Sequence, residues 1–285
     1  MTAMILAAGL GTRLRPLTDE LPKPLVPVGD APAVVHIARQ LARAGAARLV
    51  LNTHHLAPAF ATVDWPLPVT LEHEPRIRGT AGGVAGVRAR LDPAAPVLLW
   101  NGDIVADVAA SRLLDALAGS DAVAAWAVAP RARGEGTVGL DEQGRVVRLR
   151  HVRCGVEARG GDFIGVQALS PGLLPALPAE GCLVGDVLAP LLERGATLAT
   201  VDHAGPWDDI GSVAAYLAAN QRWLRERGLD TFRAPGSDAP DAHGCVVGAG
   251  ASASGRLERV VLWPGARAVG PLADAVVTTG GLVVR

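Results

Sequence analysis

Short apolar runs alternate with helix-patterned stretches along most of this chain, and that alternation limits its fold more than any other feature. "AMILAAG" reads as a buried strand ending in a glycine loop, and "PAVVHIARQLARAG" places Val34, Ile37, Leu41 and Ala44 on one helical face. "RLVLNT", "PVTLEHE", "PVLLWNGD" and "AVAAWAVA" continue the strand pattern. Strands separated by helices require crossover connections, so the spacing predicts an α/β fold: a Rossmann-like, mixed, mostly parallel sheet flanked by helices. The middle changes character. "TVGLDEQGRVVRLR" reads as a hairpin turning at Gln143 and Gly144, and "DFIGVQALSP" as a further strand. These would add antiparallel strands at one end of the sheet. "GDVLAPLLERG" and "GSVAAYLAANQRWLRERG" are helical, the second with Ser212 as N-cap.

Residues 228–242 are rich in Gly, Pro and Asp and read as a linker between a main domain over 1–227 and a tail over 243–285. The tail repeats with a period of 15: Gly250, Gly265 and Gly280 hold the same place in "CVVGAGASASG", "VVLWPGARAVG" and "AVVTTGGLVVR". Such copies suggest a small stack of β coils, too short to bury much alone, which packs on the main domain or on a second subunit. A homo-oligomer built through the tail is one expectation.

Composition excludes several function classes. Net charge is −1 with no block of like charge, so neither nucleic acid nor an anionic membrane is an expected partner. No apolar run approaches the roughly 20 residues a transmembrane helix needs. The cysteines Cys154, Cys182 and Cys245 are odd in number and widely spaced, which suggests a reducing, cytoplasmic setting.

One stretch stands out chemically. "LAAGLGTRLRPLTDELPKPLVPVG" holds Lys23, the single lysine among 27 basic residues. Gly9 and Gly11 follow a strand, where glycines let backbone N–H groups approach an anion. Leu14 stands where a dinucleotide fingerprint needs its third glycine, and no GK[ST] follows as a Walker loop requires. Lys23 lies between Pro22 and Pro24, so its backbone is restricted on both sides and its compact charge is aimed. Asp103 ends an apolar strand, where α/β folds bind ligands, and Asp208 and Asp209 precede a helix. Carboxylates from distant segments can share a magnesium ion with phosphate oxygens.

The run G-L-G-T-R-L-R-P-L-T followed by P-K-P, with "EPRIRGTAGG", "NGD" and "WDDIGS", resembles the signature of nucleotidyltransferases that make NDP-sugars from an NTP and a sugar 1-phosphate. The resemblance covers residues 1 to about 225, and the tail resembles the left-handed β-helix extension of many members. It implies a catalytic pair of Arg13 on the phosphates and Lys23 at the α-phosphate, and Mg²⁺ on Asp103 and Asp209 with Asp208 outside its ligand shell. Nucleotide contacts are expected from Leu6, Ala8, Gly9, Gly11, Thr12, Arg13, Glu74, Gly79 and Thr80. Glu74 is the candidate base reader, since a carboxylate can accept two hydrogen bonds from guanine. Its structural alternative is a pair with Arg76 or Arg78. Sugar contacts are expected from Asn101, Gly139 and Gly165. The family's Glu-Lys-Pro segment is replaced here by "LRHVRCG", so Arg150 or Arg153 becomes the candidate for positive charge on the sugar side. The pattern is similar to guanylyltransferases that use mannose 1-phosphate. The alternatives are a uridylyltransferase acting on N-acetylmuramate 1-phosphate and, in another class, a non-catalytic regulatory subunit that binds NDP-sugar.

Overall fold

The computed structural model describes residues 1–285. The chain divides into two compact units whose sequences interleave. One, the sheet unit, comprises Met1–Gly9, Ile37–Ala57 and Val63–Trp207. The other, the coil unit, comprises Leu10–His36, Pro58–Thr62 and Asp208–Arg285. The division differs from the one expected at residues 228–242, because the signature stretch groups with the tail.

The sheet unit is built on β1 (Thr2–Ala7), β2 (Arg48–Thr53), β3 (Val69–His73), β4 (Val97–Asn101), β5 (Ala124–Arg131), β6 (Val138–Leu140), β7 (Val146–Leu149), β8 (Val152–Arg153), β9 (Arg159–Leu169) and β10 (Leu198–Asp202). The strand order is β8-β7-β6-β9-β4-β1-β2-β3, with β5 pairing both β9 and β10. Pairing is parallel across β4-β1-β2-β3 and between β5 and β10. It is antiparallel from β4 through β9 to β5 and β6, and on through β7 to β8. Central β1 buries Ala3, Met4 and Ile5 completely, the pattern of a strand covered on both faces. The expected hairpin is present, and Gly144 supplies the left-handed turn residue at φ 75°.

Chain direction makes a functional point here. From β1 the order runs to β2 and β3 on one side, while β4 lies on the other. The C-terminal ends of β1 and β4 therefore flank a topological switch point, where ligands bind in open α/β sheets. The register sets Leu6 beside both Asn52 and Asn101 at that edge. The helices are α1 (Ala33–Arg43), α2 (Gly79–Gly86), α3 (Ser111–Ala118), α4 (Ala189–Glu193) and α5 (Val213–Glu226), and α1, α4 and α5 fall where the pattern placed helical segments. The "GDVLAPLLERG" segment departs in detail, winding as a π-helical turn over Leu183–Leu188 before α4. Ser212 caps α5, its hydroxyl accepting from Ala215 N–H at 3.2 Å. No helix is long and apolar enough to cross a membrane.

In the coil unit the tail forms β11 (Phe232–Arg233), β12 (Ala242–His243), β13 (Val246–Val247), β14 (Ser252–Ser254), β15 (Leu257–Glu258), β16 (Val261–Leu262), β17 (Arg267–Val269), β18 (Leu272–Ala273), β19 (Val276–Val277) and β20 (Val283–Val284). The 15-residue period is a stacking period: Val246 pairs with Val261, and Val261 with Val276, all parallel. Ala242, Leu257 and Leu272 form a second such column. The expected linker is part of the stack, since β11 pairs in parallel with β13. The last strand, β20, folds back antiparallel on β19 and ends the parallel growth. The coils lean on α5 and on the signature stretch of their own unit. Trp263 Nε1 donates to Tyr216 Oη at 3.1 Å, and Gln221 Nε2 donates to Gly244 O at 2.7 Å.

Candidate active site

In the coil unit the signature stretch is a chain of tight turns. Gly11 has φ 63°, and a side chain there would meet Thr18 Cγ2 at 2.8 Å and Lys23 Cβ at 3.1 Å. Thr18 is fully buried and donates its hydroxyl to Gly11 O at 2.9 Å. The glycine loop is thereby locked to the segment that follows it. Two 3₁₀ turns, Leu17–Asp19 and Lys23–Leu25, carry the chain on to Lys23.

Lys23 is 7% exposed, and its ammonium reaches Asp209 Oδ1 at 3.2 Å. Arg13, largely exposed, reaches the other oxygen, Oδ2, at 3.5 Å. Asp209 is thus flanked by two cations, and the structure brings together three of the residues singled out from sequence. Gly211 makes this possible. A Cβ there would lie 2.8 Å from Asp209 Oδ1 and 2.9 Å from Arg13 Cζ. Sequence reasoning quoted this glycine in "WDDIGS" but gave it no role; its signal was its place two residues beyond the acid. Asp208 turns to Arg222 on α5 and forms an ion pair with it. Burial pushes the Asp208 carboxyl above its ordinary value, against the pull of Arg222.

In the sheet unit, Leu6 and Asn101 line a cavity of about 440 Å³, within the size range of ligand pockets. Its floor is mostly apolar, with Trp126, Leu149, Phe163 and Leu183. Thr80, Gln167 and Arg150 supply polar groups. Gln167 spends its oxygen on Trp126 Nε1 at 2.8 Å, which leaves its NH₂ as the group it can offer. Arg150 has φ 53°, rare for a residue with a side chain. Its guanidinium packs on Gly185, where a Cβ would come within 2.8 Å, and donates to Cys182 Sγ at 3.5 Å. No carboxylate pairs with it. Arg153 does not add a second charge to the cavity lining; it donates to the Arg150 carbonyl at 2.7 Å and holds the turn. Gly165, at φ 79°, leaves room for Asn101, whose Nδ2 would lie 2.7 Å from an added Cβ. Gly102 N–H donates to Leu6 O at 2.9 Å, so Asp103 follows directly on the pairing of β1 and β4.

Two expectations are corrected. Glu74 does not offer its carboxylate to a base: it is fully buried. Its Oε1 accepts from Asn52 Nδ2 at 2.9 Å and pairs with Arg78 at 3.4 Å, and its Oε2 accepts from Arg78 N–H at 3.3 Å. Asn52 in turn accepts from Ala7 N–H at 3.0 Å. Glu74 therefore ties β1 and β2 to the loop before α2, while Arg76 pairs with Glu180. Gly139 does not make room for a sugar either. An added Cβ would lie 2.4 Å from the Glu157 carboxylate, so this glycine admits the Arg148–Glu157 ion pair. Gly79, by contrast, is needed for a close approach at the start of α2, where a Cβ would lie 2.4 Å from Gly181 O. Thr80 lines the cavity while its hydroxyl accepts from Leu183 N–H at 2.7 Å. Ala8 is buried, and Gly9 and Thr12 are exposed at the loop surface.

Residues 2–150, more than half the chain, match the family model described as nucleotidyl transferase. The mannose-1-phosphate guanyltransferase of Debaryomyces hansenii is 26% identical over 234 residues, covering 79% of this chain and 65% of that protein. The UTP–glucose-1-phosphate uridylyltransferase of Synechocystis is 26% identical over 258 residues, covering 83% and 66%. The chain thus matches slightly less than two thirds of the length of these relatives. The crystal structure of HddC from Yersinia pseudotuberculosis, 20% identical, shares the fold with a TM-score of 0.63 over 78% of this chain and 99% of that one. A second HddC structure, complexed with GMP-PN, gives 0.64 over the same shares. With the glycine loop, its lysine and the switch-point cavity in view, the family match has a physical footing: the chain belongs to the nucleotidyl transferase family.

Proposed function

We propose that the protein joins an NTP to a sugar 1-phosphate. An oxygen of the sugar phosphate attacks the α-phosphorus, the bond to the bridging oxygen breaks, and an NDP-sugar and pyrophosphate result. The observation that carries this reading is the cation set on Asp209: the buried Lys23 and the exposed Arg13, both mounted on the glycine loop stretch. Both reactants are anions, so charge neutralisation and alignment are the main demands. The attacking oxygen is already ionised and needs no general base. Lys23 is assigned to the α-phosphate, and Arg13 with the amides of Gly11 and Thr12 to the departing pyrophosphate. Before substrate arrives, Asp209 holds both cations in place. An incoming triphosphate competes for them and frees the carboxylate.

Asp103 and Asp209 are the proposed ligands of Mg²⁺. No group of three or more His, Cys, Asp or Glu side chains gathers in this structure. A pair of carboxylates is a donor set that suits magnesium when substrate phosphates and water complete its octahedron. When bound, the ion supplies charge screening and in-line alignment of the two phosphates.

Leu6, Ala8, Gly9, Gly79 and Thr80 are assigned to the nucleotide, and Asn101, Arg150 and Gly165 to the sugar side. Guanine and mannose 1-phosphate are the first choice, supported by the names of the guanyltransferase relatives. One observation favours the second choice, UTP with N-acetylmuramate 1-phosphate: Arg150 lines a mostly apolar cavity without a carboxylate partner, which suits a sugar carrying its own acid. The same reading takes the tail coils as left-handed and the setting as cytoplasmic. The test is pyrophosphate release from GTP, UTP, dTTP, CTP and ATP against a panel of sugar 1-phosphates with magnesium. Release with GTP and mannose 1-phosphate is the expected result. UTP with the acidic sugar would move the choice to the second reading. Release with no pair would overturn the activity.

A further inference from the structure

Lys23 is held from both sides by groups that lead to the C-terminal coils. Three residues before it, Glu20 has a carboxylate gripped by the last coil. Thr278 Oγ1 donates to Glu20 Oε1 at 2.5 Å, and Gly280 N–H donates to Oε2 at 3.1 Å. Thr278 is fully buried, and its oxygen also accepts from Leu282 N–H at 3.1 Å, which fixes the direction of its own proton. Four residues after Lys23, Pro27 O accepts from Tyr216 Oη at 2.5 Å. That hydroxyl accepts in turn from Trp263 Nε1 of the preceding coil. Gly29 N–H donates to Asn220 Oδ1 at 2.9 Å on the same helix. Tyr216, Asn220 and Trp263 are all fully buried. Two successive coils therefore reach the lysine segment at two points, one directly and one through α5.

We propose that the C-terminal coils are a positioning element for Lys23, with Glu20, Thr278 and Gly280 as its clasp. Glu20 is a positioning residue: its carboxylate is committed to the tail, and it acts on the reaction through the segment that carries the lysine. A lysine that must meet a phosphate within a fraction of an ångström needs a backbone that does not drift. The clasp supplies this from the far end of the chain. The proposal builds on the nucleotidyltransferase reading for its effect on turnover.

Three variants separate positioning from folding. Thr278→Val removes the hydroxyl and keeps the volume. Thr278→Ser restores the hydroxyl. Gly280→Ala leaves Thr278 in place and drives a methyl to within 2.8 Å of Glu20 Oε1, a flexible terminus that can swing away. The first readout is hydrogen exchange of the amides from Gly11 to Val26, measured with melting temperature on the full chain. The second is kcat, with KM for the sugar phosphate. Thr278→Val and Gly280→Ala are expected to speed exchange in that segment about tenfold and to lower kcat about tenfold, the scale of one net hydrogen bond to a charged group. KM for the sugar phosphate should stay within about twofold, and Thr278→Ser should recover wild-type exchange and turnover. Unchanged exchange in the segment overturns the clasp, as does a kcat that falls only in step with melting temperature. If the wild-type chain releases no pyrophosphate, the activity reading falls, and the exchange data still decide whether the clasp orders the lysine segment.

Discussion

The two units hold their acids by opposite means. In the sheet unit Glu74 is fully buried, and both its oxygens are committed to Asn52 and to Arg78. In the coil unit the Asp209 side chain is 39% exposed and is flanked by two cations, Lys23 and Arg13, with the site proposed above releasing them to substrate. Both are carboxylates near a glycine-rich loop, and sequence reading assigned both to ligand. The difference teaches a criterion. A charge that builds structure is desolvated and has every lone pair spoken for. A charge that serves a substrate keeps an open side and partners that can change allegiance.

Substitutions can break or sharpen that contrast. The largest effect is expected at Lys23, where Ala should lower turnover at least about a hundredfold, the scale of losing one preorganised contact to transition-state charge. Near-normal turnover in a folded Lys23→Ala protein would take the lysine out of the chemistry. Asn52→Ala should act on stability. It leaves Glu74 Oε1 with only the longer contact to Arg78, strands the Ala7 N–H in the core, and should cost about 2 kcal/mol in a urea titration. A shift below about 0.5 kcal/mol would show that Glu74 finds another partner. Arg150→Met should raise KM for the sugar phosphate about tenfold, worth about 1.4 kcal/mol, and leave kcat nearly unchanged. An unaltered KM would sever Arg150 from the sugar side.

The smallest effect concerns Glu157. Hydrogen bonding from Arg148 holds its carboxyl below the ordinary glutamate value, against a smaller opposing effect of desolvation. A lowered carboxylate stabilises the fold above the pKa of the unfolded chain and loses that contribution as pH falls through the folded value. Glu157→Gln should therefore cost about 1 kcal/mol at pH 7, with the gap to wild type closing below roughly pH 4. A gap that stays constant to pH 3 would assign the loss to packing.

Legibility in the sequence followed the range of the forces involved. The strand at "AMILA" was readable because a strand covered on both faces is apolar throughout. The tail was readable because in-register stacking demands a repeat at the stacking period. Lys23 drew notice by scarcity and by its flanking prolines. Burial at position 74 was not readable, since "EHEPRIR" looks the same whether its second Glu faces water or the core. Gly139 had the same defect: a glycine signals a close approach without naming what approaches. Composition marks loops rather than pairing, so residues 228–242 read as a linker and yet contribute β11 to the stack. Glu20 carried no signal at all, since its partners lie 258 and 260 residues away.

That separation has a consequence for how the molecule is made. Residues 10–36 leave the ribosome well before residues 208–285, the largest part of their unit, are made. Contacts so distant in sequence form slowly, because the intervening chain must close first. Glu20, made early in this stretch, thus stays without its partners Thr278 and Gly280 until more than 250 further residues have been added.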